Sequence, residues 1–239
     1  MSSPGADAPQ QRPDGRQARW NQHNESRRRR IIDAAVEVIE AGRPGADVHV
    51  QQIASRAGLS RTVVYRHFED RRDLDRAVQQ HIIAMLWETL QPSMRLDGTV
   101  PEIIDRIVGT YVGWAVEHPA LHRMADHDQT PDGPLEKALE EIAGQVGQFV
   151  SLAILALGGE LTEDAAAAVD PLVYGIVGSV FGAVRRWLAR PTPSLSAERL
   201  ATLASQSVWF VLAGHAATLG VVIDPQQPVE ELVAAALGA

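Results

Sequence analysis

Cysteine is absent from all 239 residues. Its absence excludes disulfides, thiolate metal sites and a cysteine nucleophile, and it fits a reducing compartment. Lysine is nearly absent as well: Lys137 stands alone, so almost every cation is an arginine. No apolar N-terminal run follows a basic stretch, so no secretory signal is expected. The longest apolar run, Leu172 to Val184, is broken by Ser179 and three glycines, ends at Arg185 and Arg186, and reads as too short for a membrane span. The expectation is a cytoplasmic protein. G-x-S-x-G, P-loop, G-x-G-x-x-G and H-E-x-x-H motifs are all missing. Glu140 and Glu141 are sequence neighbours and point in different directions on a helix. No enzyme is expected, and no catalytic residue, metal or cofactor is assigned.

What is present is an apolar fraction of 45%, enough for a sizeable core, and a net charge of −8 that is unevenly spread. Residues 1–80 carry 14 arginines against 11 carboxylates, a balance of +3. The remainder carries 8 basic against 19 acidic residues, a balance of −11. A basic head on an acidic body can approach nucleic acid while the body stays away from it.

Residues 1–24 are rich in Pro, Gly, Gln, Ser and Arg without apolar periodicity, and read as a disordered arm. Arg12, Arg16 and Arg19 are weighed as phosphate contacts against a merely solvated tail, and the solvated tail is preferred. Periodicity then begins, with Ile31, Ala34, Ala35, Val38 and Ile39 on one helical face. Gly42, Pro44 and Gly45 end that helix. A short helix follows with Val50, Ile53, Ala54 and Ala57 inward. Gly58 stops it, and Ser60 is placed to cap the next, which runs to about His67. A fourth helix opens near Arg71 with Leu74, Val78, Ile82, Met85 and Thr89 along one stripe, and Pro92 ends or bends it.

Everything beyond Pro92 still reads as helix. Thr99 and Glu102 make a capping box with Pro101 in the first turn, and Ile104, Ile107, Val108, Tyr111 and Ala115 follow on one face up to Pro119. Residues 120–125 form a short segment before a polar loop, 126–133. Leu135, Leu139, Ile142, Val146, Phe149 and Ala153 mark a long helix closed by Gly158 and Gly159. Two more are expected at about 162–189 and 196–220, capped by Thr162 and Ser196, and a short one at about 228–238. The fold class is all-α.

The informative stretch is Ala57 to Leu74: helix, tight Gly-containing turn, short second helix. That is a helix-turn-helix layout, whose second helix enters the DNA major groove. The second helix exposes Arg61, Thr62, Val63, Tyr65 and Arg66 and turns Val64 and Phe68 inward. Arginine reads guanine in bidentate fashion, and Thr or Val methyls touch the thymine methyl. Tyr65, His67, Arg71 and Arg72 suit phosphate, with the fourth helix's N-terminus adding amide donors. Arg27, Arg28, Gln51, Gln52 and Ser60 complete the set assigned to DNA.

The segment resembles the DNA-binding domain of the TetR family of bacterial regulators. The family's elements stand here as Ala34–Ala35, Ile53–Ala54, Ala57–Gly58–Leu59–Ser60, Tyr65–Arg66–His67–Phe68, and Arg72 with Leu74. The likeness covers about residues 26–76, with a further echo in the His118–Pro119 helix break. The family often has Gly-Thr where this chain has Thr62–Val63, and the Val63 side chain cannot donate a hydrogen bond. The resemblance implies an N-terminal three-helix head over about 25–72 and an effector-binding and dimerisation domain over 73–239. It implies a homodimer held by the last two long helices, a double-stranded DNA operator, a small-molecule pocket among the middle helices, and a fourth helix that moves when the pocket fills. The function it implies is a repressor released by a largely apolar effector. A regulator answering to a protein partner, with no small-molecule effector, is the alternative.

Gly175, Gly178, Ser179 and Gly182 make a small-residue surface that permits close helix approach and supports the dimer, with packing within one chain as the lesser alternative. Trp87, Tyr111, Trp114, His118, Met124, Phe149 and Tyr174 are the residues assigned to the ligand pocket, although aromatics at helical spacing also build cores. His118, His122, Asp126, His127 and Asp128 contain an i, i+4 histidine pair of the kind that binds metal. Pro119 and the loop that follows favour helix-end or pocket histidines instead.

Overall fold

The computed structural model describes residues 15–127, 132–156, 162–190 and 194–231. Among them the chain forms α1 (Gly15–Ala41), α2 (Val50–Arg56), α3 (Arg61–His67), α4 (Arg71–Leu90), α5 (Val100–Glu117), α6 (Pro119–Ala125), α7 (Pro134–Ala156), α8 (Glu163–Leu188) and α9 (Ala197–Thr218), with one 3-10 turn at Gln91–Ser93. The described residues contain no strand, only an isolated bridge between Thr99 and Pro228.

Helix starts follow local chemistry. The side chains of Ser60, Asp70, Thr99, Thr162 and Ser196 each accept a hydrogen bond from a backbone N–H of the first turn of α3, α4, α5, α8 and α9. At α5 the box is reciprocal, with the Glu102 carboxylate accepting from the Thr99 N–H at 2.8 Å. Of the expected terminal helix, residues 229–231 are helical and the rest lies outside the described residues. Gly158, Gly159, Pro191, Pro193 and Asp128 lie outside them too.

Helix α1 departs from the sequence expectation. It begins at Gly15, inside the stretch read as a disordered arm, while residues 1–14 lie outside the described residues. The physical reason is composition: no proline interrupts residues 15–41, and Arg, Gln, Ala and Glu are good helix formers. Missing apolar periodicity does not exclude a helix. Residues 22–27 are indeed exposed, and burial starts at Ile31.

One apolar cluster runs from Ile31, Ala35 and Ile53 through Val64, Phe68, Leu74, Val78 and Ile82 to Val112, Ala115, Leu121 and Val184. Head and body therefore share a core, and α4 passes through it as one continuous rod. In the body α5 packs along α9 and α7 along α8, with α4 against α5, α6 and α7. By length and composition α8 could cross a membrane, at 26 residues and a hydropathy of 1.6 over its most apolar window. The shorter span inferred from the sequence underestimated it, because Ala165–Ala168 extend the apolar run N-terminally. Glu163, Asp164, Asp170 and Pro171 also lie on it, and that window is only 11% buried within the chain.

Candidate DNA-reading head and candidate effector cavity

The turn between α2 and α3 needs a left-handed residue, and Gly58 supplies it at φ +63°. An added Cβ there would come within 3.0 Å of the Arg30 guanidinium. Leu59 N–H then closes on the Ala54 carbonyl at 2.8 Å, and Ser60 Oγ accepts from Val63 N–H. Val64 and Phe68, at 0% and 2% exposure, anchor α3 in the core. That leaves Arg61, Thr62, Tyr65 and Arg66 exposed on the opposite side, with Val63 and His67 half-buried.

The arginines divide into two groups. Arg61, Arg66, Arg72 and Arg27 are exposed and carry no hydrogen bond or ion pair among the described residues. Arg28 and Arg71 are engaged inside the head. The Arg28 guanidinium lies 4.2 Å from the centroid of the Phe68 ring, donates to the His67 carbonyl at 2.6 Å and pairs with Asp73 at 3.7 Å. Arg71 donates through Nε to both carboxylate oxygens of Asp75 at 2.8 Å and through Nη1 to the Val48 carbonyl at 2.5 Å. Both fasten α1 or the α1–α2 loop to the start of α4. Both side chains remain 40% exposed, so each bridges two parts of the head while keeping a face toward solvent.

At the N-terminus of α4, Asp70 Oδ1 accepts from Asp73 N–H at 2.8 Å, and Asp73 Oδ2 accepts from Glu69 N–H at 3.1 Å. The Asp73 N–H of the first turn is thus satisfied within the chain by a carboxylate. Gln52 serves as the box partner of α2, accepting from His49 N–H at 2.7 Å, and Gln51 Nε2 reaches Ser55 Oγ at 3.4 Å. Burial, then Arg27 and Arg28, hold the His67 pKa below its ordinary value, so this side chain offers a neutral N–H and not a charge.

Beneath the head the body encloses a cavity of about 840 Å³. Helix α4 contributes Ile83, Leu86, Trp87 and Leu90, and α5 contributes Ile103, Ile104, Ile107, Val108 and Tyr111. Helix α7 lines it from Leu135 to Ile154 and α8 from Ala165 to Phe181, with Leu212, Ala216 and Val221 at the α9 end. Among the described residues no arginine or lysine lines it, and Glu141 is the single carboxylate. Burying an ionised group there would leave it without a counter-ion.

A sequence profile described as bacterial regulatory proteins, tetR family, matches residues 31–78, the α1–α4 unit just described. An HTH-type transcriptional regulator of Mycobacterium tuberculosis is 29% identical over 209 residues, covering 84% of this chain and 83% of its own. Residues 31–78 thus carry the tetR-family DNA-binding unit, and the whole chain is similar to HTH-type transcriptional regulators. It is all-α, with an N-terminal helix-turn-helix and a helical C-terminal part. Its fold is that of a tetR-family regulator from Streptomyces coelicolor, at TM-score 0.61 and 20% identity, covering 90% of this chain and 88% of that one. The FadR regulator of Bacillus subtilis in complex with stearoyl-CoA matches at TM-score 0.58 and 17% identity, over 77% of this chain and 97% of that one.

The cavity gathers three of the seven residues that the sequence assigned to it: Trp87, Tyr111 and Phe149. The other four lie elsewhere. Trp114 is 5% exposed and packs against His118, ring centroids 5.3 Å apart. His118 Nδ1 pairs with Glu40 of α1. The Met124 carbonyl accepts from Gln79 Nε2 at 3.2 Å. The Tyr174 hydroxyl donates to Glu136 at 2.6 Å, and that bond, then burial, raises its pKa to about 12. The aromatic count misled: the wall is mostly Ile, Val and Leu, and the i, i+3, i+4 stripes of α5 and α7 were the signal that could have found it.

His118 and His122 do not converge. His122 Nε2 faces the Tyr111 hydroxyl at 2.8 Å, and Phe181 stacks on the His122 ring with centroids 5.1 Å apart. Burial lowers the His122 pKa to about 4, with Asp126 opposing and Arg185 assisting. Burial raises that of Tyr111 further above its ordinary value. The pair is neutral near pH 7, joined by one hydrogen bond whose direction follows the imidazole tautomer. Helix α6 thereby touches the cavity wall on one side. On the other it holds the head, through His118 with Glu40 and through Arg123, whose Nε lies 2.6 Å from where a Cβ on Gly45 would sit.

Proposed function

We propose that the chain acts in the cytoplasm as a homodimeric repressor, released from a palindromic operator by a largely apolar small molecule held in the α4–α9 cavity. The observation that carries the reading is the position of α4. Its first turn is fastened to the head by Arg28 and Arg71, and its Trp87 lines the cavity. A molecule that displaces Trp87 tilts the rod on which the head sits. The similarity to a FadR solved with stearoyl-CoA supports control by a small molecule.

Residues 25–72 form the reading unit of this proposal and 73–239 the control unit. Arg61, Thr62, Val63, Tyr65 and Arg66 read base edges. Ser60, His67, Arg72, Arg27, Gln51 and Gln52 approach the backbone, and Arg28 and Arg71 position the head. The dimer uses α8 and α9. A Cβ added at Gly175, Gly178 or Gly182 would meet no atom of the described residues within 4 Å, so these small residues serve no close approach among them. Leu203, Phe210 and Val211 of α9 are 38%, 67% and 42% exposed, an apolar surface that a second copy would cover.

The test is a thermal-shift screen of apolar compounds on the full chain, followed by operator titration with each compound that raises Tm. Weakened operator binding supports the reading. Compounds that bind without changing operator affinity would remove the small-molecule part of it.

A further inference from the structure

We infer that the effector is a single long unbranched aliphatic chain that ends in an uncharged polar group at the α4–α7 edge of the cavity. The inference rests on the reading of this cavity as the effector site.

Shape comes first. The wall follows α7 from Leu135 to Ile154, about 28 Å at 1.5 Å per residue, and α8 from Ala165 to Phe181, about 24 Å. A volume of about 840 Å³ drawn out along two helices is a slot. A compact ring system would fill one part of it and leave the rest empty, whereas a flexible chain touches the wall throughout. The wall is chiefly branched aliphatic, with four aromatic side chains, Trp87, Tyr111, Phe149 and Phe181. It offers dispersion contact to methylenes and few faces for aromatic stacking.

Charge and edge chemistry come second. The polar lining contributed by α4 and α7 is Gln80 on α4 and Glu141 and Gln145 on α7, all three exposed. Two amides there suit an alcohol or ester. Glu141, with no arginine or lysine among the described residues of the wall, disfavours a carboxylate or phosphate. The Tyr111 hydroxyl is already engaged by His122. At the α9 end Thr218 donates to the His215 carbonyl at 2.7 Å, which leaves His215 as the competing polar contact. From Glu141 to Ile154 the slot runs about 20 Å along α7. With carbon–carbon bonds of ~1.52 Å in a tetrahedral zigzag, that length holds about sixteen carbons.

The test uses the full chain and straight-chain 1-alkanols of increasing length, with affinities measured by equilibrium titration. Affinity should rise about fourfold per methylene, the equivalent of ~0.8 kcal/mol, and level off near sixteen carbons. Methyl esters of equal length should follow the alkanols, and the carboxylates should bind about tenfold more weakly. Glu141→Gln should narrow that gap, Gln145→Leu should weaken the alkanols, and His215→Leu should leave them unchanged. A flat affinity along the series, tightest binding by the carboxylates, or pyrene outcompeting hexadecan-1-ol would overturn the inference. Alkanols that bind as described without altering operator affinity would instead overturn control through this cavity and leave the ligand class standing. An unrelated compound that releases operator, with no alkanol bound, would do the reverse.

Discussion

The Tyr111 hydroxyl and His122 Nε2 lie 2.8 Å apart, and together they join the cavity wall of α5 to the helix that holds the reading head. Burial keeps the imidazole of this pair neutral by lowering the His122 pKa to about 4.

That arrangement carries a pH dependence. Above about pH 6.5 His122 is neutral in both folded and unfolded chains and contributes no slope. Between about 6.5 and 4 the unfolded chain takes the proton and the folded one does not, so stability falls with pH, by about 3 kcal/mol at most. His122→Gln keeps an acceptor for Tyr111 and removes the titration. At pH 4.5 the native chain should have lost about 5–10 °C more Tm, relative to pH 7.5, than the variant. Parallel losses would show that His122 is not held neutral.

Arg28 and Arg61 should separate stability from recognition. Arg28→Ala removes the contact with Phe68, the bond to the His67 carbonyl and the pair with Asp73, and should cost about 1–2 kcal/mol of stability. Arg61→Ala should leave Tm unchanged and relax preference at one base pair per half-site, at about 1–3 kcal/mol. Thermal melts and binding to randomised half-sites read the two effects. An Arg28→Ala chain as stable as the parent would return Arg28 to the DNA contacts.

Arg72 is exposed and unpaired among the described residues. Replacing it by Ala should weaken binding to all sequences alike and lower the slope of log K against log salt by about 1 per head. An unchanged slope would take Arg72 off the phosphate backbone.

Much of the head was legible because one-sided burial prints itself as period. Ile31, Ala34, Ala35, Ile53, Ala54, Val64 and Leu74 were read as inward and are all buried. The caps at Ser60, Thr99, Thr162 and Ser196 were legible for the same local reason. What was not legible depends on contacts distant in sequence. Arg28 meets Phe68 and Arg71 meets Val48, and neither spacing leaves a mark in the chain. Trp114 and Tyr111 lie on one stripe of α5, yet the first packs beside His118 and the second meets His122 and the cavity. Which apolar residues enclose space is decided by how α5, α7 and α8 sit against one another, and periodicity alone does not contain that.

The α8–α9 surface should hold the dimer. No atom of the described residues lies within 4 Å of a Cβ at Gly178, so Gly178→Arg should fold and should block only a close approach from another copy. Sedimentation should give a monomer, with operator affinity lowered because two heads are no longer linked. An intact dimer would place the interface elsewhere.

The central claim is that an occupant of the cavity and the operator compete through α4. The direct measurement is reciprocal: titrate operator with and without a compound that raises Tm, then titrate the compound with and without operator. The account predicts that each weakens the other by the same factor, about 5–150-fold, a coupling of about 1–3 kcal/mol. Equal affinities in both arms would contradict it.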